Sequence, residues 1–517
     1  RVLFRSVVLL LLMYCHAKLK NISQHTVISA HLFLPDYSPM NRDSFYPAIA
    51  CFSLLLMLAG CAPMHETRQA LSQQTPAAQV DTVLPTALKN GWPDSQWWLE
   101  YHDNQLTSLI NNALQSAPDM QVAEQRIQLA EAQAKAVATQ DGPQLDFSAD
   151  MERQKMSAEG LMGPFALNDP AAGTTGPWYT NGTFGLTAGW HLDIWGKNRA
   201  EVTARLGTVK ARAAEREQTR QLLAGSVARL YWEWQTQAAL NTVLQQIEKE
   251  QNTIIATDRQ LYQNGITSSV EGVETDINAS KTRQQLNDVA GKMKIIEARL
   301  NALTNHQTKS LKLKPVALPK VASQLPDELG YSLLARRADL QAAHWYVESS
   351  LSTIDAAKAA FYPDINLMAF LQQDALHLSD LFRHSAQQMG VTAGLTLPIF
   401  DSGRLNANLD IAKAESNLSI ASYNKAVVEA VNDVARAASQ VQTLAEKNQH
   451  QAQIERDALR VVGLAQARFN AGLIAGSRVS EARIPALRER ANGLLLQGQW
   501  LDASIQLTGA LGGGYKR

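Results

Sequence analysis

Four segments of the chain alternate apolar and polar residues with a period of two. In the first, Leu145, Phe147, Ala149 and Met151 alternate with Asp146, Ser148, Asp150 and Glu152. In the second, Phe184, Leu186, Ala188, Trp190, Leu192 and Ile194 alternate with smaller or polar residues. A third, around Ile365–Leu371, alternates less cleanly. The fourth sets Val391, Ala393, Leu395, Leu397 and Ile399 against Thr392, Gly394, Thr396 and Pro398. This pattern predicts half-buried antiparallel strands, at 144–152, 183–195, 364–371 and 390–400. It fits equally a membrane-barrel strand of about 9–11 residues, apolar toward lipid and polar toward a lumen. Trp178, Tyr179, Trp190 and Trp195 near the strand ends suit an interfacial aromatic belt. From the strands alone, the edge of a soluble sandwich remains open.

The segments between strands follow a helical pattern. No proline lies between Pro177 and Pro315, and Lys197 to Leu261 is almost entirely Ala, Gln, Arg, Glu, Leu and Thr. A helix of about 65 residues would run roughly 98 Å. Ser402 to Phe469 repeats the pattern, and Val427, Val431, Val434, Ala438 and Val441 form a coiled-coil seam. Long helices are expected at 197–261, 267–304, 402–469 and 475–510. The many alanines suit close helix packing around a wide, wet interior.

The pattern occurs twice. Leu186–Trp195 lies over Val391–Phe400 at an offset of 205, and Leu261–Ile266 over Arg468–Leu473 at 207. Pro143–Phe147 lies over Pro363–Leu367, and Asp119 over Asp339, both at 220. Each half reads helix, strand, loop, strand, very long helix, glycine turn, helix. The expected division is a first repeat over 101–314, a linker over 315–330, a second repeat over 331–511 and a tail over 512–517. Gly512–Gly514 are expected to form a flexible end.

The 48 basic and 48 acidic side chains balance, which gives no support for a nucleic-acid partner. No stretch reaches the 18 apolar residues of a membrane helix. Three cysteines, Cys15, Cys51 and Cys61, exclude a disulfide scaffold. Residues 1–39 read as upstream sequence, with synthesis expected to begin at Met40. Residues 40–60 read as a signal peptide, with Ala48–Leu58 as its apolar core. Leu58-Ala59-Gly60-Cys61 closes it and resembles a bacterial lipobox. Cys61 would then carry N-acyl and diacylglycerol lipid, and 61–100 would form an N-terminal anchor and equatorial segment. Ala62, in place of an aspartate, points to the outer membrane. Residues 1–60 hold five basic and two acidic groups, so the chain from Cys61 onward has a net charge of −3.

Four strands cannot close a membrane barrel, and an open sheet leaves unpaired backbone in lipid. Single-chain barrels start at about eight strands. Several chains must contribute. Three copies would supply twelve strands, with the long helices forming a shared tube. The expected fold is an α+β membrane protein: four β-strands per protomer in a trimeric twelve-stranded β-barrel, continued by a long periplasmic α-helical barrel, built from two tandem repeats.

Several blocks resemble the outer-membrane efflux protein family, the TolC- and OprM-like factors, and especially their lipoprotein branch. They are Trp97–Ile110, Trp190–Gly196, Leu397–Gly403, and the aromatic-x-x-Gly turns Tyr262–Gly265 and Phe469–Gly472. The resemblance spans Trp97 to Gly513. It implies a homotrimeric outer-membrane channel that catalyses nothing. Such a channel exports drugs and toxic small molecules with a periplasmic adaptor and an inner-membrane pump. It also implies a gate near the periplasmic helix tips, beyond Gly265 and Gly472. Family carboxylates six and nine positions after the second-half glycine map to Arg478 and Glu481, and the first-half positions to Glu271 and Glu274. Arginine thus replaces one carboxylate, and Arg478 and Glu481 would pair across subunits. Solvated helix faces are the alternative for all four.

The eleven histidines show no metal spacing, and no nucleophile elbow or Walker loop occurs. No metal and no cofactor beyond the Cys61 lipid is expected. Two other classes compete: a periplasmic adaptor lipoprotein, which needs one helical hairpin where this chain has two, and a coiled-coil scaffold, which needs no strands with one apolar face.

Overall fold

The computed structural model describes residues 64, 71–73, 91–155, 168–169, 174–175, 178–266, 268–305, 311–320 and 330–515. Cys61 and the lipobox residues Leu58, Ala59 and Gly60 lie outside the described residues. The chain divides into two compact units. One contains Pro143–Trp195 and Lys358–Asn408, and the other contains Thr67–Gly142, Gly196–Ala357 and Leu409–Arg517.

The first unit is a four-stranded antiparallel sheet made of β1 (Gln144–Lys155), β2 (Trp178–Leu192), β3 (Asp364–Ala375) and β4 (Gln387–Thr396), in that order. The strands run farther toward their hairpin loops than alternation alone predicts, and β4 stops before Pro398, whose ring nitrogen cannot join a ladder. A two-residue ladder, Asn168–Asp169 with Thr174–Thr175, lies in the β1–β2 connection.

The second unit is helical. It contains α1 (Asn104–Ser116), α2 (Pro118–Ala138), α3 (Lys197–Gln263), α4 (Ser269–Leu303), α5 (Gly330–Arg336), α6 (Ala338–Ala359), α7 (Arg404–Asn470) and α8 (Gly476–Ala510), with the ends of α6 and α7 running into the sheet unit. Asp103 starts α1 by accepting from the Gln105 and Leu106 amides at 2.8 and 2.9 Å, satisfying two of the first-turn donors. Leu106, Leu109, Ile110 and Ala113 then recur at helical spacing and are buried. Pro118 opens α2, where its missing amide costs nothing.

The repeat is metrically close. The long helices α3 and α7 have 67 residues each, α4 and α8 have 35 each, and β1 and β3 have 12 each. One sequence register is corrected. Gln144 faces Gly189 and Asp364 faces Thr396, which sets the second strands of the two hairpins 207 residues apart instead of 205. A two-residue slip keeps every side chain on the same face, so the pattern alone could not reveal it.

Three clusters hold the helices. Trp97, Trp98, Leu106 and Ile110 pack on Val227, Tyr231 and Trp232 of α3, with Leu300 of α4 and Leu501 of α8. Leu333, Leu340 and Val347 pack on the α7 seam Val427, Val434, Ala438 and Val441, with Leu507 of α8. Val243, Leu244 and Ile247 meet Val289 and Ala491 farther along. Small residues permit close approach: at Gly207 a Cβ would stand 3.0 Å from Ser349 of α6. Pro485 lies within α8, which continues past it to Ala510.

The C-terminal glycines differ from expectation. Gly512, Gly513 and Gly514 are buried, each with positive φ. A side chain there would run into the Arg336 carbonyl, the Gln221 amide and the Asp94 carbonyl respectively. They therefore cap α8 and pack against the helical core. The inter-repeat segment is also held: Gln235 donates to the Lys314 carbonyl at 3.0 Å and accepts from the Val316 amide at 2.8 Å. Gln497 of α8 donates to the Leu318 carbonyl at 3.1 Å.

Candidate functional site

Directly opposed residues of an antiparallel ladder point to the same face. The registers therefore give two lists. One face runs Phe147–Leu186–Leu371–Met389 in one row and Leu145–Ala188–Ala369–Val391 in the next, followed by Trp190–Leu367–Ala393 and Leu192–Ile365–Leu395. The other face runs Asp146–Thr187–Phe370–Gly390, Ser148–Gly185–Gln372–Gln388 and Asp150–Thr183–Asp374.

Among the described residues most of the apolar face is uncovered. Phe147 is 67% exposed, Met151 70% and Val391 81%. Four strands bearing such a face cannot form an ordinary soluble core. On the polar face, Thr183 donates to Asp374 at 3.2 Å and Gln388 donates to Asp374 at 3.4 Å. Phe370 departs from the alternation: its ring covers Gly390, where any Cβ would clash. That explains why β3 alternates poorly in sequence, since a large residue is admitted where its neighbour is glycine.

The four aromatic residues do not form one belt. Trp178 and Trp190 lie on the apolar face at opposite ends of β2. Their twelve-residue separation spans about 40 Å along the strand. At a tilt of about 45° this becomes about 28 Å, close to the thickness of a hydrocarbon core. Tyr179 faces the polar side, opposite Gln154. Trp195 lies beyond the strand, stacked on Tyr362 with ring centroids 5.0 Å apart, and its indole donates to the Pro363 carbonyl at 2.8 Å.

Sequence reading missed two features of this surface. Extending the β1 alternation past Met151 puts Arg153 and Lys155 on the apolar face, in register with Thr180 and Trp178. The β3–β4 loop also folds onto that face. Phe382, 85% exposed, lies 5.6 Å from Phe184 between ring centroids, and Leu378 and Leu381 fill the space above Gly182. No local pattern signals a loop that packs backward.

The helix tips close in matching turns. Gly265 and Gly472 have φ of 74° and 72°, the left-handed region that favours glycine. The Gly265 amide donates to the Tyr262 carbonyl and the Ile266 amide to the Leu261 carbonyl, both at 2.9 Å. Gly472 and Leu473 repeat this with Phe469 and Arg468 at 2.9 Å. Beyond the second turn, Arg478 donates to Glu481 at 2.7 Å along one exposed face of α8. Within the protomer this contact runs along one helix, because residues three apart are neighbours on its surface. Glu274 is exposed on α4, and Glu271 lies in the same helix. Arg483 joins α8 to α3 through Glu250 at 3.3 Å, and Arg259 joins α3 to α4 through Asp276 at 3.9 Å.

Two phenols make part-buried polar contacts in the helical unit. Tyr231, fully buried, donates to Asp103 at 2.7 Å and accepts from Gln105 at 2.9 Å. Burial pushes the Tyr231 phenol up, and its bond to the Asp103 carboxylate pushes it further. Tyr346 donates to Glu215 at 2.8 Å and is pushed up to about 12, first by burial and then by that bond. These phenols are donors in structural contacts. Among the described residues no group of three His, Cys, Asp or Glu is placed to hold a metal, and no helix is long and apolar enough to cross a membrane.

The model of the outer membrane efflux protein family matches residues 109–306 and 329–513. The chain is 99% identical over 478 residues to the multidrug resistance outer membrane protein MdtQ of Escherichia coli O6:H1, covering 92% of this chain and all of that one. It is 36% identical over 466 residues to MdtP of Shigella flexneri, covering 89% and 94% respectively. Among solved structures, the Campylobacter jejuni CmeC outer membrane channel superposes with a TM-score of 0.75 at 18% identity, over 88% of this chain and 96% of that one. VceC of Vibrio cholerae superposes at 0.69 with 26% identity, over 82% and 100%. With the family match covering most of both repeats, and a 99% identical relative spanning 92% of this chain, the chain belongs to the outer membrane efflux protein family.

Proposed function

We propose that this chain is one protomer of a homotrimeric duct through the outer membrane of a Gram-negative bacterium, through which drugs and toxic small molecules leave the cell. As an outer-membrane efflux protein it is a conduit and not an enzyme. One observation carries the trimer: a four-stranded sheet with one apolar and one acidic-polar face, whose outer strands β1 and β4 each have one edge unpaired among the described residues. Lipid tolerates no open edge, so copies must pair β4 to the next β1. Three copies bring twelve strands, enough for an aqueous lumen.

The helices support the same assembly. Val122 and Leu129 of α2, Ile277 of α4, and Leu418, Val428 and Leu459 of α7 are half or more exposed. The surface still exposed on each, if buried between copies, would contribute about 1–2 kcal/mol. The helices would then form a periplasmic tube about 100 Å long, continuing the barrel. A periplasmic adaptor would engage the helix tips and an inner-membrane pump would supply substrate. The family match and the strands with one apolar face favour the channel over the adaptor or scaffold readings. Cys61 would carry the lipid that tethers each protomer. At the tips, the Arg478–Glu481 pair on each α8 would form a ring of mixed charge, less attractive to cations than an acidic ring.

The decisive measurement is mass and migration of detergent-solubilised protein after outer-membrane fractionation. A heat-modifiable trimer in the outer membrane is expected, and a monomer in mild detergent refutes the assembly. Export in a strain lacking other outer-membrane channels, with a candidate adaptor and pump supplied, tests the conduit itself.

A further inference from the structure

The charges of the sheet are sorted by face. Among its strand residues the polar face carries Asp146, Asp150, Glu152, Asp364 and Asp374, with no lysine or arginine. The apolar face carries no carboxylate and two cations, Arg153 and Lys155. Both stand at one end of β1. There Lys155 is directly opposite Trp178, and Arg153 opposite Thr180. Residues two apart on one strand are roughly 7 Å apart, so the two cations and the indole form a compact patch.

The position of the patch has a direction. The strand ends that lead into helices are Gln144, Leu192, Asp364 and Thr396; the hairpin ends are Lys155, Trp178, Ala375 and Gln387. The patch is at the hairpin end, which is the external end if the helices occupy the periplasm. A lysine or arginine in the middle of a lipid-facing wall costs about 2–4 kcal/mol, but near the interface the cost falls to about 0–1 kcal/mol. Aromatic residues favour that same depth.

We propose that Arg153, Lys155 and Trp178 form a binding patch for the phosphate groups of an outer-leaflet glycolipid. The partner is fixed by charge complementarity and depth. The ligand must be anionic, must sit at the headgroup level on the lipid side of the wall, and must bring acyl chains that lie along Met151, Phe147 and Leu186 below. A phosphorylated, multiply acylated glycolipid meets all three requirements. Arg153 provides a planar fork for two phosphate oxygens and Lys155 a flexible point charge. The indole of Trp178 covers the boundary between headgroup and chains. Three protomers would offer three such patches around the barrel. The carboxylates on the opposite face keep the two roles apart, since an anionic lipid is repelled by the lumen side and held on the outer side.

This inference rests on reading the sheet as a membrane wall, and the experiment separates the two. The full chain is purified in detergent, and native mass spectrometry measures occupancy by bis-phosphorylated lipid A and by its dephosphorylated form. The phosphorylated lipid should be retained in preference. Arg153→Gln with Lys155→Gln should lower its apparent affinity about 25-fold, at about fivefold per cation, while trimer migration stays as in the parent. Asp150→Asn with Asp374→Asn, on the other face, should leave lipid retention as it is. Equal retention of both lipids, or unchanged affinity in the Arg153/Lys155 variant, overturns the patch while the trimeric barrel stands. A parent protein that neither reaches the outer membrane nor inserts into vesicles takes down the membrane reading and the patch with it.

Discussion

Leu186 and Thr187 are adjacent in β2 and point to opposite faces, so a matched pair of substitutions tests the sidedness on which the channel reading depends. Leu186 stands in the row Phe147–Leu186–Leu371–Met389, and Thr187 in the row Asp146–Thr187–Phe370–Gly390. Along the strand Leu186 is two residues from the midpoint between Trp178 and Trp190. That is about 7 Å along the strand and about 5 Å along the membrane normal at a 45° tilt. An arginine there lies near the bilayer centre, too deep for its guanidinium to reach a headgroup easily. The expected cost is about 2–4 kcal/mol per protomer, and a trimer carries it three times. Thr187→Arg adds the same side chain, but into water beside Asp146, and should cost less than about 1 kcal/mol. The assay is denaturant unfolding in lipid vesicles, with the temperature of trimer dissociation on gels as a second reading. Leu186→Arg should unfold at clearly lower denaturant than Thr187→Arg. Equal destabilisation, or a greater loss for Thr187→Arg, would mean that the apolar face does not meet lipid.

Four further outcomes are expected. Gly265→Ala and Gly472→Ala should each cost about 1–2 kcal/mol through backbone strain at positive φ, since open space surrounds both positions; thermal unfolding of single and double variants checks that the costs add. Tyr231→Phe removes the bond to Asp103 and should cost about 2 kcal/mol, measured as a shift in denaturant midpoint without change in slope. Glu455 is pushed above the usual carboxylate range, mainly by burial against α8, with Glu489 adding to the shift while Arg490 and Lys320 oppose it. A raised folded pKa means that the folded state holds this proton more tightly, so its contribution to stability is lost as pH rises through the folded value; Glu455→Gln should flatten that fall in a pH series of melting curves. Arg478→Asp should increase single-channel opening and cation block in planar bilayers, and unchanged records would remove the tip pair from the gate.

How much was legible in the sequence follows from the range of each interaction. Alternation along one strand depends on neighbours two residues apart, and the helical seam on neighbours three and four apart. Both patterns are local, so the elements, the doubling of the chain and the glycine turns could be read directly. The 67-residue helices and the left-handed Gly265 and Gly472 lie where these patterns put them. The candidate site was legible less evenly. The apolar stripe on each strand was visible, but which stripes share a face depends on hydrogen-bond register between strands as far apart as residues 186 and 371.

The sequence by itself determined the period of the long helices and the sidedness of the regularly alternating strands, because side-chain direction follows from backbone geometry alone. Tertiary structure decided what those sides meet. It set the hairpin offset at 207, since a slip of two residues is invisible to a pattern of period two. It stacked Trp195 on Tyr362, a residue from the other repeat. It also turned a glycine tail into a buried cap, because glycine's value there lies in the carbonyls of Arg336 and Asp94 that crowd it. Those carbonyls come from distant parts of the chain, and no local pattern records their approach.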